Sequence, residues 1–349
     1  MSARPIKLAV VGATGAVGRA VLEELGEREI PLSEMRLFSS PRSEERTVEF
    51  RGDELEVEPL GERSFRGLDV ALFAAPREVA RHWAPKAWAE GCAVVDTSGA
   101  FRGEADVPLV VAEVNPGAVA GYRARGIVAG PSGPVLPLAL VLAPLHRAAG
   151  LERVAATVFY SASGSGHGGV RQLETEVVAL LNGEEPEPSD SSHRMGFNLV
   201  PQVGEVAEGG HTSEEVGVGA ELRRVLALPD LRTAATLVRV PVFYAHGIAV
   251  NLRTSRRLAA EDARALLREA AGVKVLDVPA ERVYPMPMLA VNDDAVLAGR
   301  VREDASQENG LALFVVVDNV RGAAANAVRI ARMLHAPASG PGPADGKLH

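Results

Sequence analysis

The sequence predicts a two-domain protein of the α/β class. Three observations carry this. Short apolar runs of strand length alternate with helical periodicity along most of the chain. A glycine-rich turn joins the first strand to the first helix. The 349 residues, 47% hydrophobic and 23% charged, suffice for two sizeable cores.

A formal net charge of -8 argues against nucleic acid or an anionic membrane as partner. A small anionic ligand would have to be held by local arginines. The single cysteine, Cys92, excludes an intramolecular disulfide and fits a reducing, cytoplasmic compartment. Met1 to Lys7 is short and polar, so no signal peptide is expected. No apolar run reaches the roughly 20 residues of a membrane span.

Ile6 to Val11 reads as a buried strand. Gly12-Ala13-Thr14-Gly15-Ala16-Val17-Gly18 follows and opens a helix through Leu25. This G-x-x-G-x-x-G is a relative of the dinucleotide fingerprint: glycines permit a tight turn, and helix N–H groups meet a pyrophosphate. A Rossmann-type cofactor domain is therefore expected over residues 1–130, completed by residues 320–336. The second strand, Met35 to Phe38, ends in Ser39-Ser40-Pro41-Arg42-Ser43. It offers no carboxylate for a free ribose 2′-hydroxyl. Hydroxyls beside an arginine suit a 2′-phosphate, which favours NADP.

Thr47 to Phe50 and Leu55 to Pro59 form an expected hairpin. Val70 to Ala75 is a strand and Glu78 to Glu90 a helix, with Trp83 and Trp88 as packing residues. Ala93 to Asp96 leads into Thr97-Ser98-Gly99-Ala100-Phe101-Arg102. Strand ends of a parallel sheet face the cofactor crevice, which makes Ser98 and Arg102 candidate contacts.

Ile127-Val128-Ala129-Gly130-Pro131-Ser132-Gly133-Pro134-Val135 reads as a strand, a glycine/proline turn and the start of a helix, Leu136 to His146. Such a turn suits a cysteine thiolate, whose pKa falls at a helix N-terminus. It carries Gly133 instead. An α+β domain is expected from 131 to 319. Val154 to Tyr160 is a strand. The glycine/serine loop after it enters a helix, Val170 to Leu181, either as an anion-friendly terminus or as a flexible loop. Glu184 to Ser192 is a polar linker. Glu214 to Leu226 is a helix carrying Glu221, Arg223 and Arg224. Arg239 lies in the apolar strand Ala234 to Val242. Burying it unpaired is costly, so it is an anion ligand or half of a structural ion pair. His246 is a general-base candidate or a structural histidine. Glu261 to Glu269 is helical. Strands follow near Val273 to Leu276, Val296 to Val301 and Gly310 to Asp318, then a helix, Ala323 to Leu334. Residues 337–349 are expected to be disordered. No repeat and no metal-ligand spacing is present.

Several blocks together resemble the aspartate-semialdehyde dehydrogenases: Gly12 to Gly18, Ser40 to Ser43, Ser98 to Arg102, Glu113-Val114-Asn115-Pro116, Arg239-Val240-Pro241-Val242, Tyr284-Pro285-Met286-Pro287 and Glu308-Asn309-Gly310-Leu311. The similarity spans roughly residues 6 to 334. It implies an NADP-linked, phosphate-dependent interconversion of aspartate semialdehyde and aspartyl phosphate, in amino-acid biosynthesis, by a homodimer. It implies His246 as general base and Arg239 as ligand of the substrate carboxylate. Arg102 and Arg224 become phosphate ligands and Glu221 a substrate-pocket residue. Gly12, Thr14, Gly15, Ala16, Val17, Gly18, Ser40, Arg42, Ser43, Ser98, Ser163, Gly164 and Asn319 form the implied cofactor set.

The departures are specific. The family's Asn-Pro-Asn-Cys turn is Gly130-Pro131-Ser132-Gly133, its positioning glutamine is Tyr160, and paired glycines are Pro76-Arg77. In this the sequence looks closer to the Usg-type proteins, a branch without the cysteine. Without a thiol the thioester route is lost. Cys92 lies far along the chain, and Ser132 would need an activating base. The alternative is a catalytically silent NADP-binding paralogue with a regulatory or partner-binding role.

Overall fold

The computed structural model describes residues 4–40, 43, 46–186 and 193–335. Arg42, part of the 184–192 linker and the tail 337–349 lie outside them. The first half builds a seven-stranded sheet from β1 (Ile6–Val11), β2 (Leu32–Ser39), β3 (Thr47–Phe50), β4 (Asp53–Pro59), β5 (Val70–Phe73), β6 (Ala93–Asp96) and β7 (Ile127–Ala129). Their order is β3-β4-β2-β1-β5-β6-β7. All neighbours are parallel except the β3/β4 hairpin. Its helices are α1 (Ala16–Glu27) and α2 (Arg77–Ala89). Connections leave β1 toward both edges, so a crevice opens at the carboxyl ends of β1 and β5, where ligands of such sheets bind.

α3 (Val135–Ala149) crosses to the second half, with apolar residues on all its faces and most of them buried. The second sheet comprises β8 (Leu151–Tyr160), β9 (Arg232–Arg239), β10 (His246–Thr254), β11 (Val273–Val275), β12 (Val296–Glu303) and β13 (Gly310–Val317). Their order is β11-β12-β13-β10-β8-β9, with mixed directions. Helices α4 (Gly166–Leu181), α5 (Ser213–Val225), α6 (Ala260–Arg268) and α7 (Pro287–Ala290) surround it. The final helix, α8 (Asn319–His335), returns to pack on α1 and the first sheet.

The fully buried parallel strands fall where the apolar runs predict. Helix starts differ. α8 begins at Asn319 rather than Ala323 because Asp318 Oδ1 accepts the backbone N–H groups of Val320 and Arg321, at 3.0 and 3.1 Å. α4 begins at Gly166 rather than Val170, directly from a short 3-10 turn. β9 ends at Arg239, short of Val242, because Pro241 cannot donate to the ladder.

Arg321 fastens the returning helix. Its buried guanidinium lies 3.1 Å from Glu23, 3.2 Å from Glu24 and 2.6 Å from Glu27. Glu24 is itself buried and also bonds Arg28 at 2.6 Å. Arg321→Ala strips a buried carboxylate of one partner and should cost about 3 kcal/mol. A urea midpoint within error of wild type would refute this.

Candidate active site

The cofactor crevice is built from three strand ends. A cavity of about 440 Å³ is lined by Val11, Gly12, Thr14 and Gly15, by Ser39 and Ser40, and by Ala74, Ala75 and Pro76. Leu60, Val79 and Trp83 close it. Trp83 is therefore a wall of the crevice as well as a packing residue, which the sequence reading missed. The glycines are required by contact: a Cβ on Gly12, whose φ is +86°, would lie 2.4 Å from Ala74 O, and one on Gly18 2.0 Å from Gly12 O. The first turn of α1 holds no acidic residue and no side-chain cap. Its free N–H groups at Ala16 and Val17 suit a phosphate. These residues fit a dinucleotide.

Next to this crevice, the same end of each sheet converges. β8 and β10 run antiparallel, with Phe159 opposite Gly247. That register sets Tyr160 and His246 at one end of the second sheet. Val317 pairs with His246, so Asn319 follows closely. From the first sheet, β7 delivers the Gly130–Gly133 turn.

His246 is wholly buried. Its Nδ1 accepts the backbone N–H of Ser161 at 3.2 Å and lies 2.9 Å from Ser161 Oγ. Ser161 Oγ lies 3.0 Å from Ser163 Oγ, which donates to Asn319 Oδ1 at 2.9 Å. The Tyr160 ring stacks on the imidazole at 4.3 Å between centroids and 29° between planes, and its hydroxyl donates to Gly164 O at 3.1 Å. Burial lowers the imidazole pKa to about 3. A Cβ on Gly133 would stand 3.3 Å from His246 Nε2 and 3.6 Å from the Asn319 Cβ. The turn thus faces the imidazole across a gap that a single Cβ would close.

Polar groups hold that turn. Glu221 Oε2 accepts the N–H of Ser132 at 2.7 Å. Burial raises the Glu221 pKa, against the opposing pull of Arg102 and the Ser132 N–H. Arg102 lies over Gly99 and donates through Nε to Gly130 O at 3.0 Å. Arg239 donates to Ser165 Oγ at 2.8 Å and to Gln202 O at 3.3 Å. Among the described residues, Ser132 Oγ and Asp96 Oδ2 are buried without a hydrogen-bond partner.

Two expected residues are engaged elsewhere. Arg224 donates to the carbonyls of Arg102, Glu104 (3.2 Å) and Val107 (2.8 Å), so it braces the loop that carries Arg102. Ser98 bonds Asp96 Oδ1 at 2.6 Å and receives the N–H of Ala100. Ser43 approaches Thr14 Oγ1 at 3.4 Å, on the crevice rim. Cys92 is buried in the core, and burial pushes its thiol up to about 12, so it supplies no thiolate.

Comparison with known proteins gives the family. Residues 7–122 match the semialdehyde dehydrogenase NAD binding domain, and residues 142–322 the semialdehyde dehydrogenase dimerisation domain. The aspartate-semialdehyde dehydrogenase of Aquifex aeolicus (strain VF5) is 40% identical over 331 residues, 94% of this chain and 97% of that protein. That of Bacillus subtilis (strain 168) is 38% identical, covering 95% and 98%. The chain belongs to the aspartate-semialdehyde dehydrogenase family. Among solved structures, aspartate semialdehyde dehydrogenase II from Vibrio cholerae superposes with a TM-score of 0.92 at 38% identity, covering 95% of this chain and 98% of that one. The same enzyme has been solved complexed with ASA, with the same score and coverage. The family architecture, an NAD(P)-binding domain joined to a dimerisation domain, is the one described above. Among the described residues, no three His, Cys, Asp or Glu side chains are grouped to hold a metal ion, and no helix is long and apolar enough to cross a membrane.

The buried histidine gives this family member a pH signature. Its unfolded imidazole titrates near 6.5 and its folded one near 3. The unfolded chain therefore binds the extra proton first. This part of stability is complete above about pH 6.5 and lost as pH falls toward about 3. Urea midpoints at pH 7 and pH 4.5 should differ more for wild type than for His246→Gln. Equal differences would show that His246 is not held neutral.

Proposed function

We propose that this chain is an NADP-dependent oxidoreductase that acts on a small anionic carbonyl compound without the thioester step of its family. The observation that carries this is Gly133. A side chain there would touch His246 Nε2, so this is where a nucleophile would work with the histidine, and no nucleophile is present. General acid–base action alone is worth about 10²–10⁴-fold, so a slow phosphate-dependent reaction with aspartate semialdehyde is all the site could give. Gly12 to Gly18 would hold the pyrophosphate, and Ser40, Ser43 and Arg42 the 2′-phosphate. Ser98, Ser163, Gly164 and Asn319 would border the nicotinamide. When bound, the nicotinamide supplies or takes the hydride. Arg102 and Arg239 reach the site from opposite sheets and would take the two charged ends of the substrate. Glu221 would keep the Gly130–Gly133 turn in place beneath it, and Arg224 the Arg102 loop.

The absence of the cysteine supports assignment to the Usg-type branch. Exposed apolar side chains on the second domain, Leu181, Phe197, Leu199, Val206 and Met288, support a homodimer through that domain. A second reading, a catalytically silent NADP-binding paralogue serving a regulatory partner, is favoured by Tyr160. Its ring covers one face of the imidazole.

NADPH formation from aspartate semialdehyde and phosphate separates these readings. Wild type should show little. Gly133→Cys has the space for its Cβ at the cost of a few tenths of an ångström in the neighbours, and with its thiolate favoured by the N-terminus of α3 it should be at least about 10²-fold faster. Fast wild-type turnover would overturn the proposal that the thiol step is absent. If wild type turns over no carbonyl compound yet binds NADPH tightly, the silent reading stands. In fluorescence titration NADPH should bind about tenfold tighter than NADH or more, and Arg42→Ala should narrow the gap.

A further inference from the structure

A neutral imidazole carries one proton, and its partners decide which nitrogen holds it. An amide N–H can only donate. The amide of Ser161 points at His246 Nδ1 from 3.2 Å, so Nδ1 must present its lone pair. The Ser161 hydroxyl, 2.9 Å away, can donate to the same lone pair. Ser163 Oγ, whose own proton goes to Asn319 Oδ1, competes for that one hydroxyl proton at 3.0 Å, so it is the amide that fixes the tautomer. Tyr160 fixes the plane of the ring by stacking. The proton is left on Nε2, the nitrogen that a Cβ on Gly133 would meet at 3.3 Å.

We propose that His246 acts here as a fixed Nε2–H donor to the oxygen of a small carbonyl ligand seated over Gly133, with Ser161 as its positioning residue, and not as a general base. A base at Nε2 would need its lone pair there. The proton would then sit on Nδ1 and meet the Ser161 N–H head on. Two buried donors facing each other lose a hydrogen bond and leave a donor unpaired. Without a cysteine there is also no thiol proton at position 133 to accept. A donor has work: when hydride adds to a carbonyl carbon, the oxygen gains negative charge and is stabilised by an N–H fixed in advance in a dry site, and the alkoxide takes its proton from solvent water as the alcohol leaves. Burial keeps the ring neutral at physiological pH, so the donor strength is that of imidazole, not imidazolium. The ligand class follows as an aldehyde or ketone flanked by anionic groups. The oxygen would point at His246, with Arg102 held on the turn through Gly130 O and Arg239 paired with Tyr160 across the sheet.

The substrate part of this rests on the reading proposed above, whereas the tautomer does not. The first test therefore uses no substrate. The full chain carrying ¹⁵N-histidine is examined at neutral pH by long-range ¹H–¹⁵N correlation, with the His246 signals identified by their loss in His246→Gln. The expected result is a single tautomer with Nε2 protonated and Nδ1 bare, favoured about tenfold or more. A protonated Nδ1, or a cationic ring, overturns the proposal whatever the enzyme turns over. The second test reads carbonyl reduction. Glutamine can donate but cannot act as a base, so His246→Gln should stay within about tenfold of wild type while His246→Ala loses about 10²-fold. Equal losses in both overturn the donor role even if the tautomer is as expected. Absence of turnover in wild type would count against the reading of the function and leave the tautomer result to decide this one.

Discussion

One hydrogen bond orders the centre of this molecule: the amide of Ser161 on the imidazole of His246, both residues buried. The bond exists because β8 and β10 stop at the same level. Their register leaves Ser161 just past one strand and His246 at the start of the other. Gly247 leaves room beside it. A Cβ there would come within 3.0 Å of Phe314, which with Phe159 fills the sheet face behind the histidine. Ala245, immediately before His246, holds a left-handed φ of 68°. That conformation costs an L-residue roughly 1–2 kcal/mol. It turns the chain from the loop into β10, and the pairing of the strand holds it there.

The second constraint is that the site belongs to neither sheet. Arg102 and the Gly130–Gly133 turn come from the first, and Tyr160, Ser161, Arg239 and His246 from the second. Their alignment depends on the elements that cross between the two. α3 does this by burial, with apolar residues from Val135 to Leu145. α8 does it by polar contacts. Asn326 accepts the N–H of Ala112 and donates to Val110 O, both at 2.9 Å, deep in the core. Arg321 ties the same helix to α1. Buried polar bonds of this kind contribute little net energy but are costly to break, so they fix position more than they add stability.

This division also explains what could be read from the sequence. Ile6–Val11 and Ala93–Asp96 were legible to the residue, because a strand buried on both faces is a continuous apolar run. The glycine loop was legible because close backbone approach permits nothing larger. Gly133 and His246 were named as partners only through a family resemblance; the spacing of 113 residues says nothing by itself. Ser161 was missed for the same reason, since its bond spans 85 residues. Arg224 is an expected phosphate ligand only through the family resemblance, and a sequence does not show the three carbonyls that its guanidinium meets. Trp83 was read as packing because an indole that lines a cavity and one that fills a core have the same neighbours in sequence.

The turn at Gly133 bears on whether the pocket is a relic. A loop released from its purpose would be expected to lose the groups that are costly to keep. Burying the Glu221 carboxylate is costly, as its raised pKa reflects, and its Oε2 bonds the N–H of Ser132. A buried Asp96 oxygen and the Ser132 hydroxyl have no partner among the described residues, which adds to the cost. An apolar replacement of Glu221 would remove a desolvation penalty but would leave the buried N–H of Ser132 without its acceptor, so the carboxylate is part of what holds the turn. Buried oxygens without a partner at the strand ends and turn that face a neutral imidazole make energetic sense when a polar ligand completes them. The physical case for a binding pocket is therefore stronger than the case for any one reaction in it, and the loss of a single thiol leaves that case intact.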